Sequence, residues 1–178
     1  MTWHEQVARA TATRYKTVCP LSGQNRRVNN PYLLPSIEKT PDIIEAIVRL
    51  VPESRWDEKV DPDRFSLREA IAHLAEWEEI DRERVRTAAE APGATIQGFD
   101  EGELAIKGRY HETDPMEKIR FLKAERAKTC RYFETIDKSR YGNEAVHTER
   151  GAQSVYDLMG LILAHDVYHI EHLVRYLP

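Results

Sequence analysis

The stretch that decides the fold is SVYDLMGLILAHDVYHIEHLVRYL, residues 154–177. Ser154 with Asp157 three residues on reads as a helix start, and the apolar positions that follow recur at helical spacing. His165 and His169 stand four apart, so their rings project from one face of that helix, one turn from each other. Leu158, Leu161 and Ile162 share the face, which points the pair inward from an apolar stripe. Two imidazoles turned into a core need partners, and one metal ion would satisfy both. An HxxxH pair taken alone is equally consistent with hydrogen-bonded or exposed histidines.

Working outward, the same kind of signal recurs three times. Ser66-Leu67-Arg68-Glu69 is a capping box that opens a helix running to about Glu90, where Pro92-Gly93 stops it. Asp114-Pro115-Met116-Glu117 joins an N-cap, an N1 proline and an acid at N3, and predicts a helix to about Asp137. Thr40-Pro41 reads as an N-cap and N1 pair for a first helix over 41–51, with Tyr32 to Glu38 a possible kinked extension. β-Branched residues are sparse and nothing alternates cleanly, so no strand is expected. The reading is all-α: a four-helix bundle with a long connection between its second and third helices. That connection, about Ala91 to Thr113, carries four glycines and is long enough to run the length of the bundle, leaving those two helices parallel.

His73 lies two turns into the second helix, at the border of the stripe made by Leu67, Ala70, Ile71, Leu74 and Trp77. If the second and fourth helices are antiparallel, His73, His165 and His169 come to one height. The site would then open at the end of the bundle holding the first connection and the start of the third helix. Trp56, Asp57, Tyr110, His111, Glu112, Met116 and Tyr176 are candidates to line it, with Trp77 as a wall. Trp56, Tyr110 and Trp77 are the candidate substrate contacts. Glu76 and Glu78 either orient a histidine or face solvent, and Arg126, near the apolar stripe of the third helix, is expected to snorkel outward.

The motifs FSLREAIAHLAEWE (65–78) and AHDVYHIEHL (164–173), with the helix order and the long second connection, resemble the DinB-like (YfiT-like) superfamily over roughly residues 37–178. The resemblance implies a three-histidine divalent metal site of His73, His165 and His169, with zinc the first expectation and nickel, iron or manganese compatible. The family often has Gln at the position of His172, which makes His172 a residue behind the ligands. It further implies a homodimer acting on a small molecule. Characterised relatives include transferases and isomerases that use low-molecular-weight thiols, so thiol-dependent S-transfer is one expectation, and metal-dependent hydrolysis or a non-enzymatic, metal-binding stress-response role are the alternatives.

Composition narrows the rest. The chain has 178 residues, 41% hydrophobic and 31% charged, with net charge −4, which gives no electrostatic case for nucleic acid or an anionic membrane. Residues 1–36 carry Arg9, Arg14, Lys16, Arg26 and Arg27 against Glu5 alone, so they read as a basic N-terminal extension ahead of an acidic bundle domain over 37–178. Two cysteines, Cys19 and Cys130, make no thiol motif or disulfide framework, no apolar run reaches the ~18 residues of a membrane span, and no signal pattern opens the chain. These features point to the reducing cytoplasm.

Overall fold

Three of the four long helices begin where their caps say they should. In the computed structural model, which describes residues 30–177, the Ser66 hydroxyl accepts from the Glu69 N–H at 3.3 Å while the Glu69 carboxylate accepts from the Ser66 N–H at 2.8 Å. The reciprocal pair opens α2, Leu67–Glu90. Before it lies α1, Leu33–Leu50. After it come α3, Glu101–Lys107, then α4, Pro115–Thr135, capped by Asp114, and α5, Val155–Val174, opened by a second box of Ser154 and Asp157. The helix of the long connection, α3, is only two turns. Of the basic extension read over 1–36, residues 1–29 lie outside the described residues, His4 and Cys19 among them, and 33–36 form the first turn of α1.

α1, α2, α4 and α5 make the four-helix bundle, and their directions follow from cross-helix contacts. Arg68 donates to the Thr113 carbonyl, Arg82 to Glu125, and Tyr132 to Glu90, so α2 and α4 run parallel. Arg64 reaches Glu171 while His73 meets His165, so α2 and α5 are antiparallel. Lys123 pairs with Glu45 and Arg126 with the Ile37 carbonyl, which sets α1 antiparallel to α4. α1 packs on α4 and α5, and α2 packs on the same two, so α1 and α2 stand at opposite corners. The parallel α2–α4 pair is what the long connection makes possible.

Two sequence expectations are corrected here. Thr40 and Pro41 do not start α1; Pro41 sits in its interior. A proline there leaves the carbonyl four residues back without its helical partner. That carbonyl, Ile37, instead accepts from the Arg126 guanidinium at 2.5 Å and has the Thr40 hydroxyl 3.1 Å away. The orphan is satisfied by α4, so the helix continues through the proline.

The second correction is a three-stranded sheet. β1 (Thr95–Ile96) pairs in parallel with β2 (Glu144–His147), and β2 forms a hairpin with β3 (Gly151–Ser154). Gly93, at φ +85° where an L side chain is strained, ends the turn after α2 and donates to Glu144 at 2.7 Å, which fixes the start of β2. Ala145 and Ile96 bury their side chains against Val85, Phe133 and Leu158.

The apolar core is in two parts. One holds Ile44, Val48, Leu67, Ile71, Leu74, Ile119, Leu122, Leu173 and Tyr176, the other Leu33, Ile37, Val85, Ala88, Phe133, Leu158 and Ile162. Between the residue numbers of these clusters, each of the four bundle helices carries buried polar residues, Thr40, Glu78, Arg126 and Asp166 among them. Among the described residues no helix is long and apolar enough to cross a membrane.

Candidate metal centre

His73 stands on the second turn of α2, and His165 and His169 stand on adjacent turns of α5. Because those helices are antiparallel, the rings meet. The Nε2 atoms of His73 and His165 are 2.9 Å apart, those of His165 and His169 3.1 Å, and one ligand atom from each of the three lies within 4.8 Å of the others. His73 is 1% exposed and His169 5%, while His165 is half-buried, so the cluster is closed on two sides and reachable on the third.

Hydrogen bonding alone accounts poorly for this convergence. A neutral imidazole has one N–H and one lone pair, on different nitrogens. The single Nε2 of His165 faces two other Nε2 atoms, and it can serve as donor or acceptor but not both. Three lone pairs aimed at one point suit a cation instead, and three neutral imidazoles are a set that zinc and its neighbours accept. Burial, followed by repulsion from the neighbouring rings, holds the pKa of His73 and His169 well below the usual histidine value, so both are in the neutral, ligating form at pH 7.

Aromatic rings enclose the cluster. Phe65, Trp77 and Tyr110 surround His73 at ring-centre distances of 5.3, 5.3 and 6.5 Å, and Trp77 also lies 6.0 Å from His165. Tyr110 arrives from the connection after α3. Gly108 lets it approach, since a Cβ there would meet the Tyr110 ring at 2.7 Å. Burial and a hydrogen bond given to Glu76 push the Tyr110 hydroxyl up in pKa, so it stays protonated.

The structure therefore brings together His73, His165, His169, Trp77 and Tyr110. Trp56 is placed otherwise: it packs in the apolar core, with the Arg68 guanidinium 5.8 Å over its ring, and is not among the rings about His73. His172 is buried against Tyr176, ring centres 5.7 Å apart, and neither of its ring nitrogens has a hydrogen-bond partner, so it does not hold a ligand in place by hydrogen bonding. Asp57 pairs with Arg68, the exposed His111 with Glu112, Met116 packs on the core, and the Tyr176 hydroxyl donates to the Glu58 carbonyl.

Glu76 and Glu78 do not orient a histidine. Glu76 accepts from Tyr110, and Glu78 pairs with Arg126 at 2.8 Å. Nor does Arg126 snorkel outward. It is buried, held by Glu78 from α2, Asp166 from α5 at 2.7 Å, and Thr40 and Ile37 from α1, so one side chain ties all four helices together next to His165. The carboxylates on both sides keep its charge despite burial and raise its pKa. Sequence reasoning passed over Asp166 and Phe65. Asp166 carried a signal, a lone acid on the buried face between Ile162 and His169, and Phe65 stands just before a capping box, where a hydrophobic residue commonly packs back.

The profile of the DinB superfamily matches residues 36–173. The fold is similar to a solved structure of YfiT from Bacillus subtilis, described as a probable metal-dependent hydrolase with an unusual four-helix bundle topology; the TM-score is 0.79, with 16% identity over 89% of this chain and 91% of that one. No curated protein matches the chain in sequence.

Proposed function

The chain belongs to the DinB superfamily, and from that premise we propose that it is a metal-dependent enzyme acting on a small molecule, with one divalent ion held by His73, His165 and His169. The observation that carries this reading is the meeting of three imidazoles at a single half-open point. Three protein nitrogens leave at least one position for water or substrate, which is the pattern of catalytic rather than structural sites. Zinc is the first expectation; nickel, iron and manganese fit the same donors.

A divalent ion there supplies a Lewis acid that polarises a substrate oxygen and generates a nucleophile at neutral pH. The chain's own residues do the rest. Phe65, Trp77 and Tyr110 make an apolar, water-poor wall about His73, and the Tyr110 hydroxyl, kept protonated, is a hydrogen-bond donor near the rings. Arg126 with Asp166 and Glu78 fixes the relative height of α2 and α5, on which the convergence of the histidines depends. Hydrolysis is the reading we favour, since the similar solved structure is described as a probable metal-dependent hydrolase. Thiol-dependent transfer needs the same three ligands.

The test is a screen of ester, amide and lactone substrates with metal-loaded protein. Hydrolysis that is abolished by chelator and by His165→Ala, and restored to the wild type by added zinc, supports the proposal. Activity unaffected by either treatment overturns it.

A further inference from the structure

The long connection between α2 and α4 is fastened at both ends and inserts one side chain into the bundle. Ile96 of β1 is buried and pairs with His147, and the Thr113 carbonyl accepts from Arg68 at 2.7 Å. Of residues 97–114, Tyr110 alone is buried, at 1% exposure. α3, in the middle, buries no residue, and its Ile106 is 78% exposed. A stretch with so little buried surface opens at a lower free energy than the bundle beneath it.

Tyr110 is seated against the metal centre by contacts that demand a particular backbone. Its ring stands edge-on to those of His73 and Phe65, with centres 6.5 and 6.1 Å away. Its hydroxyl donates at 2.5 Å to Glu76, one turn beyond His73 on α2. Gly108 has to lack a Cβ, which would meet the Tyr110 ring at 2.7 Å and the Glu76 carboxylate at 3.1 Å. Arg109 is left-handed, at φ +49° and ψ +48°, a conformation unfavourable for an L side chain that persists where the surroundings impose it. Arg109 itself is exposed, so the burial of its neighbour Tyr110 is what holds this strained turn.

We propose that residues 97–113 are a strap over the metal centre, pivoting at β1 and at the cap of α4. Its Tyr110 lifts off His73 to admit a small-molecule substrate and re-seats on Glu76 to exclude water. Lifting uncovers His73, which is 1% exposed while Tyr110 is seated. The strained turn at Arg109 offsets part of the seating energy, which keeps the open state accessible. The passage of substrate rests on the function proposed above; the opening of the strap does not.

Hydrogen exchange of the full chain, followed by mass spectrometry, tests the opening. Residues 110–113 should exchange on the order of tenfold faster, or more, than the buried α2 stretch 70–75. Tyr110→Phe removes the bond to Glu76 and should speed exchange at 110–113 by about tenfold again, with α2 unchanged. Gly108→Ala should act in the same direction. At its helical φ of −78° an alanine strengthens α3, so faster exchange in that variant comes from the displaced Tyr110. Exchange at 110–113 that matches 70–75, or that both variants leave unchanged or slow, overturns the strap. Diethyl pyrocarbonate, which acylates accessible imidazoles, tests the passage in the chelator-treated proteins. His73 should be labelled about tenfold faster in both variants than in the wild type, while His172, packed on Tyr176, keeps its rate. Unchanged labelling of His73 overturns the passage, and an equal rise at His172 shows general loosening and overturns the strap. A failed hydrolysis screen would leave the exchange result as it stands, so the two readings fail separately.

Discussion

The Nε2 of His73 stands 2.9 Å from the Nε2 of His165, across two antiparallel helices and 92 residues of chain. A pairing so distant in sequence depends on the register of α2 against α5, which the Arg126 layer and the two capping boxes jointly set. The metal centre is in this sense a product of the whole bundle rather than of one motif.

Purified without added metal or a histidine tag, the protein should carry about one divalent ion per chain. His73→Ala, His165→Ala and His169→Ala should each lose it, because two imidazoles leave the ion short of a ligand. His172→Ala should retain it, since His172 turns toward Tyr176 and gives no hydrogen bond to the cluster. Metal analysis of the four variants decides; full retention in any two of the first three would sink the assignment.

Stability of the metal-free protein should fall as pH drops from about 6.5 toward 5. His147 and His172 have folded pKa values of about 4, lowered first by burial, against 6.5 in the unfolded chain. Both shifts are downward, so below 6.5 the unfolded chain takes up protons that the folded protein refuses, and the equilibrium moves toward unfolding until about pH 4. Urea midpoints at pH 7, 6 and 5 should decline, and less steeply in His147→Gln. Equal midpoints at pH 7 and 5 would refute the account. Stopping at pH 5 keeps the paired carboxylates out of the comparison.

Arg126→Met should destabilise the bundle by about 3–5 kcal/mol, because it strands Glu78 and Asp166 as buried, unpaired acids. It also removes the donor that satisfies the Ile37 carbonyl beneath Pro41. Adding Glu78→Gln and Asp166→Asn should recover part of the loss, since the charges then go together. Denaturant unfolding of the single and triple variants measures both; a triple variant weaker than the single one would show that the ion pairs are not the source.

How legible this was in the sequence depends on range. Ser66, Asp114 and Ser154 marked three helix starts correctly because caps are local, each settled within four residues. The three histidines were legible because helical spacing fixes which side of a helix a residue faces, and the helix order fixes which helices meet. Pro41 misled for the opposite reason: its tolerance inside α1 rests on Arg126, 89 residues away. The sheet was missed because β1 has two residues and pairs at Thr95 with Val146, too short and too distant for alternation to register. Arg126 gave the wrong reading because arginine near an apolar stripe usually snorkels, and only its two acids, one on α2 and one on α5, make burial tolerable.

The family resemblance implies a homodimer, and the surface offers a face for it. Ile43 and Leu50, seven apart on α1, and Val167 and Val174, seven apart on α5, are each between 47% and 66% exposed, and these two helices pack side by side. Sedimentation should give roughly twice the 20.7 kDa chain mass. Ile43→Lys combined with Val167→Lys should give the monomer with its helices intact. A wild-type monomer at micromolar concentration would refute the dimer.

The chemistry of the metal centre can be read from cobalt. Substituted for the native ion, cobalt should give visible bands that report its ligands, and three histidines leave room for one more. A small thiol that serves as co-substrate must enter that position and deprotonate there, which adds sulfur to the coordination sphere and shifts the bands at millimolar thiol. Under hydrolysis no such ligand is required, and the spectrum should instead respond to pH as bound water ionises. His165 is the half-buried member of the set, so small molecules can reach the three rings from its side, and slow access does not explain an unmoved spectrum. We expect bands that move with pH and stay fixed with thiol. A thiol-induced shift that saturates, and that is absent in His165→Ala, would replace hydrolysis with thiol transfer.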